Sequence, residues 1–235
     1  MGHALDGIHS WPFRKYSATR LIKDLNCEII GLQEALGFQI SRIDKALETY
    51  DYFGVGRDGE DDGEHCPIFV DSSKLKVLSS ETKWFGATPD VPSKISGSKM
   101  NRIYTRARVE LQNNEVISMF NTHFDEKSNE RRKVSMDQLL QQVDQSIPTI
   151  LLGDFNAYRS NQIFKEIESF GLRFAHDQNC GGTTNGFSRT TKENPIDHIL
   201  VSNHFDVVSA EVIRKRVFGM LPSDHWPVSA TLRLK

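Results

Sequence analysis

A chain of 235 residues can bury a substantial core, in one large domain or two small ones. Its 38% hydrophobic and 26% charged residues are those of an ordinary globular protein, and no apolar run approaches the roughly 20 residues needed to cross a bilayer. A formal net charge of −2 lacks the basic excess that binding duplex phosphates usually demands, which weighs against a dedicated nucleic-acid binder while leaving room for a local basic face.

Met1 to Phe13 shows neither a basic n-region nor an apolar h-region, so no signal peptide is visible. Cys27, Cys66 and Cys180 are odd in number, far apart and without a CxxC pair. That argues against a disulfide framework and a zinc cluster, and makes a reducing, cytoplasmic setting the default.

In chain order, Ala18, Leu21, Ile22 and Leu25 stand at i, i+3, i+4 and i+7 and predict an amphipathic helix. Cys27 to Leu32 is a short apolar run suited to a buried strand, and Ile40, Ile43 and Leu47 suggest a second helix. Asp58 to Glu64 (DGEDDGE) reads as an exposed, solvated turn. Lys74 to Ser98, with Pro89 and Pro92, reads in part as a surface excursion. Arg102 to Leu111 and Glu115 to Asn121, split by Asn113-Asn114, form a hairpin signal. Glu130 to Val143 predicts a helix with Ser128 or Asn129 as its N-cap. After Pro148, Thr149 to Leu152 is a buried strand ending at Gly153, and Asn161 to Phe170 predicts a helix stopped by Gly171. A loop rich in Gly, Thr and Asn follows from Cys180 to Asn194, then strands at Ile196 to Ser202, Val207 to Ile213 and Trp226 to Leu234. With no repeat and no long linker, the expectation is a single layered α/β domain, helices covering packed sheets.

Acidic, amide and imidazole side chains recur at the ends of these strands: Gln33-Glu34, Asn121-Thr122-His123, Asp154-Phe155-Asn156, Asp197-His198 and Asp224-His225. Strand ends are where a sheet aims several side chains into one pocket. Each piece has a plainer reading. Glu34 suits the N-terminus of a following helix, Asp154 and Asn156 suit an Asx-turn, His123 suits a hydrogen-bonded core or rim histidine, Asp197 a structural ion pair and Asp224-His225 an ordinary turn. Their joint occurrence in this order favours a site.

Gly31-Leu32-Gln33-Glu34, Asn121-Thr122-His123-Phe124-Asp125, Gly153-Asp154-Phe155-Asn156-Ala157, Ile196-Asp197-His198-Ile199 and Ser223-Asp224-His225-Trp226-Pro227-Val228 resemble motifs of the endonuclease/exonuclease/phosphatase superfamily, nearer to its bacterial-type uncharacterised members. Weaker matches lie at Gly56-Arg57-Asp58, Thr88 to Pro92 and Arg102. The resemblance implies a four-layer α-β-β-α sandwich, two packed β-sheets flanked by helices. It also implies hydrolysis of a phosphate ester dependent on Mg²⁺, or Mn²⁺. Carried over residue by residue, it makes Glu34 the metal ligand, with Asp224 assisting directly or through water. Asp154 positions or deprotonates the attacking water, Asn156 orients it or binds a phosphate oxygen, Asp197 holds His225, and His225 and His123 contact phosphoryl oxygens. Arg102 and Asn121 are the expected substrate contacts.

The chemistry accounts for these residue types. A phosphate ester repels hydroxide until its charge is neutralised, and Mg²⁺ takes hard oxygen ligands, so one or two carboxylates suffice. The sequence departs from the pattern twice. Relatives begin with a strand carrying an Asn near the metal, upstream of the region matching His9-Ser10-Trp11-Pro12, and no such strand is visible. Arg106 stands where an aromatic residue is common. The alternatives are a catalytically weak or inactive member that binds phosphate ligands, and an unrelated α/β protein. The expected partner is a phosphorylated small molecule or a nucleic acid, met by a monomer without a membrane span. The acidic balance tilts the choice toward small phosphorylated molecules.

Overall fold

The computed structural model describes residues 7–177, 179–188 and 194–235. Helix α1 spans Trp11–Leu25, strand β1 Ile29–Gly31, α2 Gly37–Asp44, β2 Tyr50–Phe53, β3 Ile68–Asp71 and β4 Lys76–Trp84. The hairpin strands follow as β5 (Ile103–Glu110) and β6 (Val116–His123), then α3 (Asn129–Leu140) and β7 (Thr149–Asp154). The chain closes with β8 (Leu172–Phe174), β9 (Asp197–Ser202), β10 (Phe205–Val212) and β11 (Val228–Leu234).

A six-stranded sheet, ordered β4-β5-β6-β7-β9-β8, forms the spine. Only β6 and β7 run parallel within it, and a parallel pair needs a crossover, which α3 supplies. Both faces of its central strands β5, β6, β7 and β9 are largely buried, alternate residues turning to opposite sides. Tyr104, Phe120, Leu151 and Leu200 turn to one face, where Met136 and Leu139 of α3 pack with Phe85, Phe124, Phe155 and Phe164. Ala107, Met119, Ile150 and Val201 turn to the other, against Ile68 and Val70 of β3 and Phe205 of β10. A third cluster seals α1 and α2 (Trp11, Ala18, Ile40, Ile43) onto Phe69 of β3. The layers are therefore α3 with short 3-10 turns, the large sheet, the smaller sheets, then α1 and α2. No described helix is long and apolar enough to cross a membrane.

Three expectations change in detail. The second sheet layer is in two pieces, β1-β3-β2 and β10-β11, which approach where Cys27 Sγ lies 3.8 Å from Ser229 Oγ. Residues 161–170 form two short 3-10 helices, Gln162–Phe164 and Ile167–Phe170. The reason is local: Asn161 accepts from the Ile163 N–H and caps the first turn at once, while Ile163, Phe164 and Ile167 all point inward and short i→i+3 turns satisfy the backbone. Within Lys74 to Ser98, Lys76–Trp84 is a nine-residue edge strand; pairing on one side only, it stays polar and hides its alternation. The Cys180 to Asn194 loop falls partly outside the described residues.

Local signals behave as the physics requires. Asn114 takes φ +66° in the β5–β6 turn, as Asn tolerates. Ser128 Oγ accepts from Arg131 N at 3.2 Å and caps α3, and Gly171 ends the second 3-10 helix at φ +70°. Leu139 is fully buried between α3 and the large sheet. Leu139→Ala is expected to lower the unfolding free energy by about 2–5 kcal/mol in urea titrations, against less than about 0.5 for Val134→Ala on the open face of α3. Equal losses at the two positions would refute the packing described.

Candidate active site

Strand register builds the centre of the site. In the large sheet His123 at the end of β6 stands beside Asp154 at the end of β7, and Asp154 stands opposite Asp197 at the start of β9. Three chemically active side chains thus fall in one row across adjacent strands. Gly153 lets the strands approach, because a Cβ there would lie 2.2 Å from Thr122 O. Glu34 joins from the end of β1 at φ +57°, and Asn156 follows Asp154 at φ +49°. Backbone held in the left-handed region costs about 1–3 kcal/mol per residue and persists only where the surroundings enforce it.

Around Glu34 the enforcement is visible. Asn121 is fully buried; its Nδ2 donates to Leu32 O and Pro67 O, each at 2.8 Å, and its Oδ1 accepts from Gln33 Nε2 at 2.6 Å. Beyond Glu34, Ala35 and His65 exchange backbone bonds of 3.3 and 2.8 Å. Expected to touch substrate, Asn121 has its amide committed to the Leu32 and Pro67 carbonyls and to the Gln33 side chain, and it fixes the turn that leads to Glu34.

Arg102 is likewise engaged by a neighbouring side chain. It is buried, and Nη1 sits 2.8 Å from His123 Nδ1. A guanidinium only donates, so Nδ1 keeps its lone pair and the ring proton sits on Nε2. That proton faces Glu34 Oε1 at 3.8 Å and Asp154 Oδ2 at 3.7 Å. The Asn156 amide, with Nδ2 3.1 Å from both this Nε2 and Phe124 O, makes its hydrogen bond to the carbonyl. Burial, then the Arg102 charge, hold His123 well below the usual imidazole range. In this arrangement His123 is a neutral hydrogen-bond donor.

His225 is its opposite. Nδ1 donates to the Asp197 carboxylate at 2.9 and 3.1 Å, leaving Nε2 as the open tip of the ring. Burial works against the charge, but Asp197 overcomes it and lifts the histidine to about 9. Asp154 moves upward too, driven first by burial and then by the Asp197 charge. Its Oδ1 accepts from Asn156 N at 2.8 Å, so Oδ2 is the oxygen directed at the two histidines, 3.9 Å from His225 Nδ1. A clip that no sequence pattern announced holds the His225 segment. Thr183 Oγ1 accepts from Ile196 N and Asp197 N, while Asn185 N and Gly186 N donate to Asp224 O at 2.7 and 3.0 Å.

Among the described residues, two groups of three offer ligand atoms within 4.8 Å of one another: Glu34, Glu64 and His123, and Asp154, Asp197 and His225. Asp224 belongs to neither; burial pushes its carboxyl up, but His225 and a Ser223 hydrogen bond help hold it below the usual range. Glu64 comes from the acidic run expected to be a solvated loop. It is half-buried and ion-paired with Arg57. Of these atoms the carboxylate oxygens are the ones that can turn a lone pair to a cation, since His123 Nε2 carries a proton and His225 Nδ1 is bound to Asp197. The Cys66 thiol is pushed up to about 12 by burial. An oxygen-only donor set fits a hard divalent cation and does not fit a soft one.

The model of the Endonuclease/Exonuclease/phosphatase family matches residues 9–225. The chain belongs to that family. Its structure superposes on a mannosyl-6-phosphatase of Bacteroides thetaiotaomicron at TM-score 0.91 and 29% identity, covering 100% of this chain and 96% of that one. A functionally unknown conserved protein from Enterococcus faecalis matches equally well in fold, at TM-score 0.91 and 24% identity, with 100% and 96% covered. A zebrafish (D. rerio) TDP2 complexed with single-strand DNA product shares the fold at TM-score 0.74 and 18% identity, over 94% and 91% of the two chains. Among curated proteins none matches. Family membership supports phosphoester hydrolysis as the class of reaction.

Proposed function

We propose that this family member hydrolyses a phosphate monoester of a small molecule, a phosphorylated sugar, with a divalent cation, Mg²⁺ or Mn²⁺, at Glu34. The observation that carries the reading is the row His123–Asp154–Asp197 on three adjacent strands, closed by His225. The mannosyl-6-phosphatase likeness and the absence of a basic excess support the choice of substrate.

Glu34, with Glu64 beside it, holds the cation in this reading, and Asp224 serves through water. When bound, the ion polarises a phosphoryl oxygen and takes up charge that develops on the leaving group. The chain's own residues do the rest. Asp154 Oδ2 accepts a proton from the attacking water; its raised affinity for protons makes it a usable base near neutral pH. Asn156 holds Asp154 through its backbone N–H and turns its amide toward the water or a phosphate oxygen. His225 is charged below pH 9 and presents Nε2–H to a phosphoryl oxygen, and His123 presents a neutral Nε2–H from the other side. Arg102 orients His123 and adds positive potential behind it.

A panel of phosphorylated sugars, a generic diester, DNA and RNA tests the reading. Sugar phosphates are expected to turn over fastest, with EDTA lowering the rate at least about 100-fold and added Mg²⁺ or Mn²⁺ restoring it. Full activity in EDTA removes the metal assignment, and preference for DNA or RNA removes the substrate assignment.

A further inference from the structure

His198 follows Asp197 in β9, and alternation sends its ring away from the site, into the core. It is almost fully buried, ringed by Phe155, Phe164 and Phe174 with centroids 5.8, 5.2 and 5.1 Å away. His176 lies beside it, with ring centroids 5.1 Å apart and planes within 14° of parallel. A phenylalanine would fill such a pocket at less cost, because each buried ring nitrogen needs a partner. Here each has one. His198 Nε2 lies 2.8 Å from Ala157 O, His198 Nδ1 lies 3.0 Å from His176 Nε2, and His176 Nδ1 lies 3.4 Å from Cys180 Sγ.

The carbonyl end fixes the proton order. Ala157 O only accepts, so His198 carries its proton on Nε2. Both rings are buried among aromatic groups, which disfavours a charge, so Nδ1 of His198 is bare and His176 must donate from Nε2. The bare Nδ1 of His176 then faces the Cys180 thiol, which also reaches Gly181 O at 3.5 Å.

The far end of this chain is Ala157, next to Asn156. The turn after β7 is tied by Phe124 N to Asp154 O at 2.9 Å, Phe155 N to Ile196 O at 3.0 Å, Asn156 N to Asp154 Oδ1 at 2.8 Å, Asn156 Nδ2 to Phe124 O at 3.1 Å, and Ala157 O to His198. The last is the one supplied by a side chain outside the site, and it fixes the exit of a turn whose Asn156 sits in the left-handed region. We propose that His198, oriented by His176 behind it, is a positioning residue that holds the Asp154–Ala157 turn so that Asn156 and Asp154 keep their aim. The proposal rests on the hydrolase reading above for its kinetic consequence but not for its geometry.

Two variants separate positioning from packing. His198→Phe keeps an aromatic ring and loses the Nε2–H, and His198→Gln returns an amide N–H at a similar reach from the backbone. A turn displaced by a fraction of an ångström is expected to lower kcat about 10-fold in His198→Phe with KM within about 2-fold, and His198→Gln to recover to within about 3-fold of the parent. Imidazole ¹⁵N spectra are expected to show His198 as the single Nε2–H form, and the Asn156 and Ala157 amide signals to shift in His198→Phe and return in His198→Gln. Equal kcat in all three proteins, or equal loss in both variants, overturns the positioning role. If no phosphoester is hydrolysed by the parent, the function reading fails alone, because the amide shifts and the ring tautomer still decide this one.

Discussion

Asp154→Asn is expected to lower kcat by about 10³-fold, with KM changed little, because it removes the group that takes the proton from water. The amide keeps the shape of the carboxyl and its Oδ1 still accepts from Asn156 N, so the turn after β7 stays in place. Stability is expected to move the other way. Asp154 is buried beside Asp197, and both the burial and the neighbouring charge raise its proton affinity. A carboxyl whose pKa is raised by folding holds its proton in the native chain at pH values where the unfolded chain has released it. Stability therefore falls as the pH rises from the ordinary Asp range toward the raised value, and flattens beyond it. Asp154→Asn lacks that loss. Urea titrations in chelator should find the variant at least as stable as the parent at pH 7, with the gap closing toward pH 4. A variant that is markedly less stable at pH 7, or one that keeps most of its kcat, sinks the assignment of Asp154 as a buried base.

Much of this arrangement was legible because strand ends are legible. Gly153-Asp154 and Asn121-Thr122-His123 terminate apolar runs whose alternation is strong, and those runs are central strands of one sheet. Register then brings their last residues together. Local signals are legible too, as at the Ser128 cap and the Asn114 turn. What stayed hidden depends on contacts between distant segments. Asn121 looks like a site residue from its position, yet its amide is fixed by Leu32, Gln33 and Pro67. Arg102 looks like a phosphate contact, yet it faces His123 from inside. Glu64 sits in a run of acidic and Gly residues that has the composition of a solvated loop. It turns inward because the neighbouring His65 pairs with Ala35, a pairing no local pattern encodes. Edge strand β4 was missed for a related reason: half of its surroundings is water, so its composition resembles a loop.

The site also divides labour between its two histidines, and this division makes the second large prediction. His123 is kept neutral by burial and by Arg102, whereas His225 is held charged by Asp197, to about 9. Of the two histidines, only His225 can offer a full positive charge to a phosphoryl oxygen at neutral pH. His225→Gln is expected to lower kcat about 10²–10³-fold, the scale for losing one aimed donor at a developing charge. The pH profile separates this role from a packing role. In the parent, kcat/KM should fall on the alkaline side as His225 loses its proton, near pH 9. Asp197→Asn removes the charge that sustains the imidazolium, so its alkaline limb should move down toward the ordinary histidine range, while His225→Gln should show no such limb. Because the pair acts as a unit, the double variant should be little slower than His225→Gln alone. Stability carries the same signature with its sign fixed. A histidine raised by folding stabilises the native chain fully below about 6.5 and loses that contribution as the pH climbs through about 9. The stability gap between parent and His225→Gln should therefore shrink from pH 6 to pH 10. An alkaline limb that stays near pH 9 in Asp197→Asn would show that some other group sets it, and that His225 does not work as the charged donor.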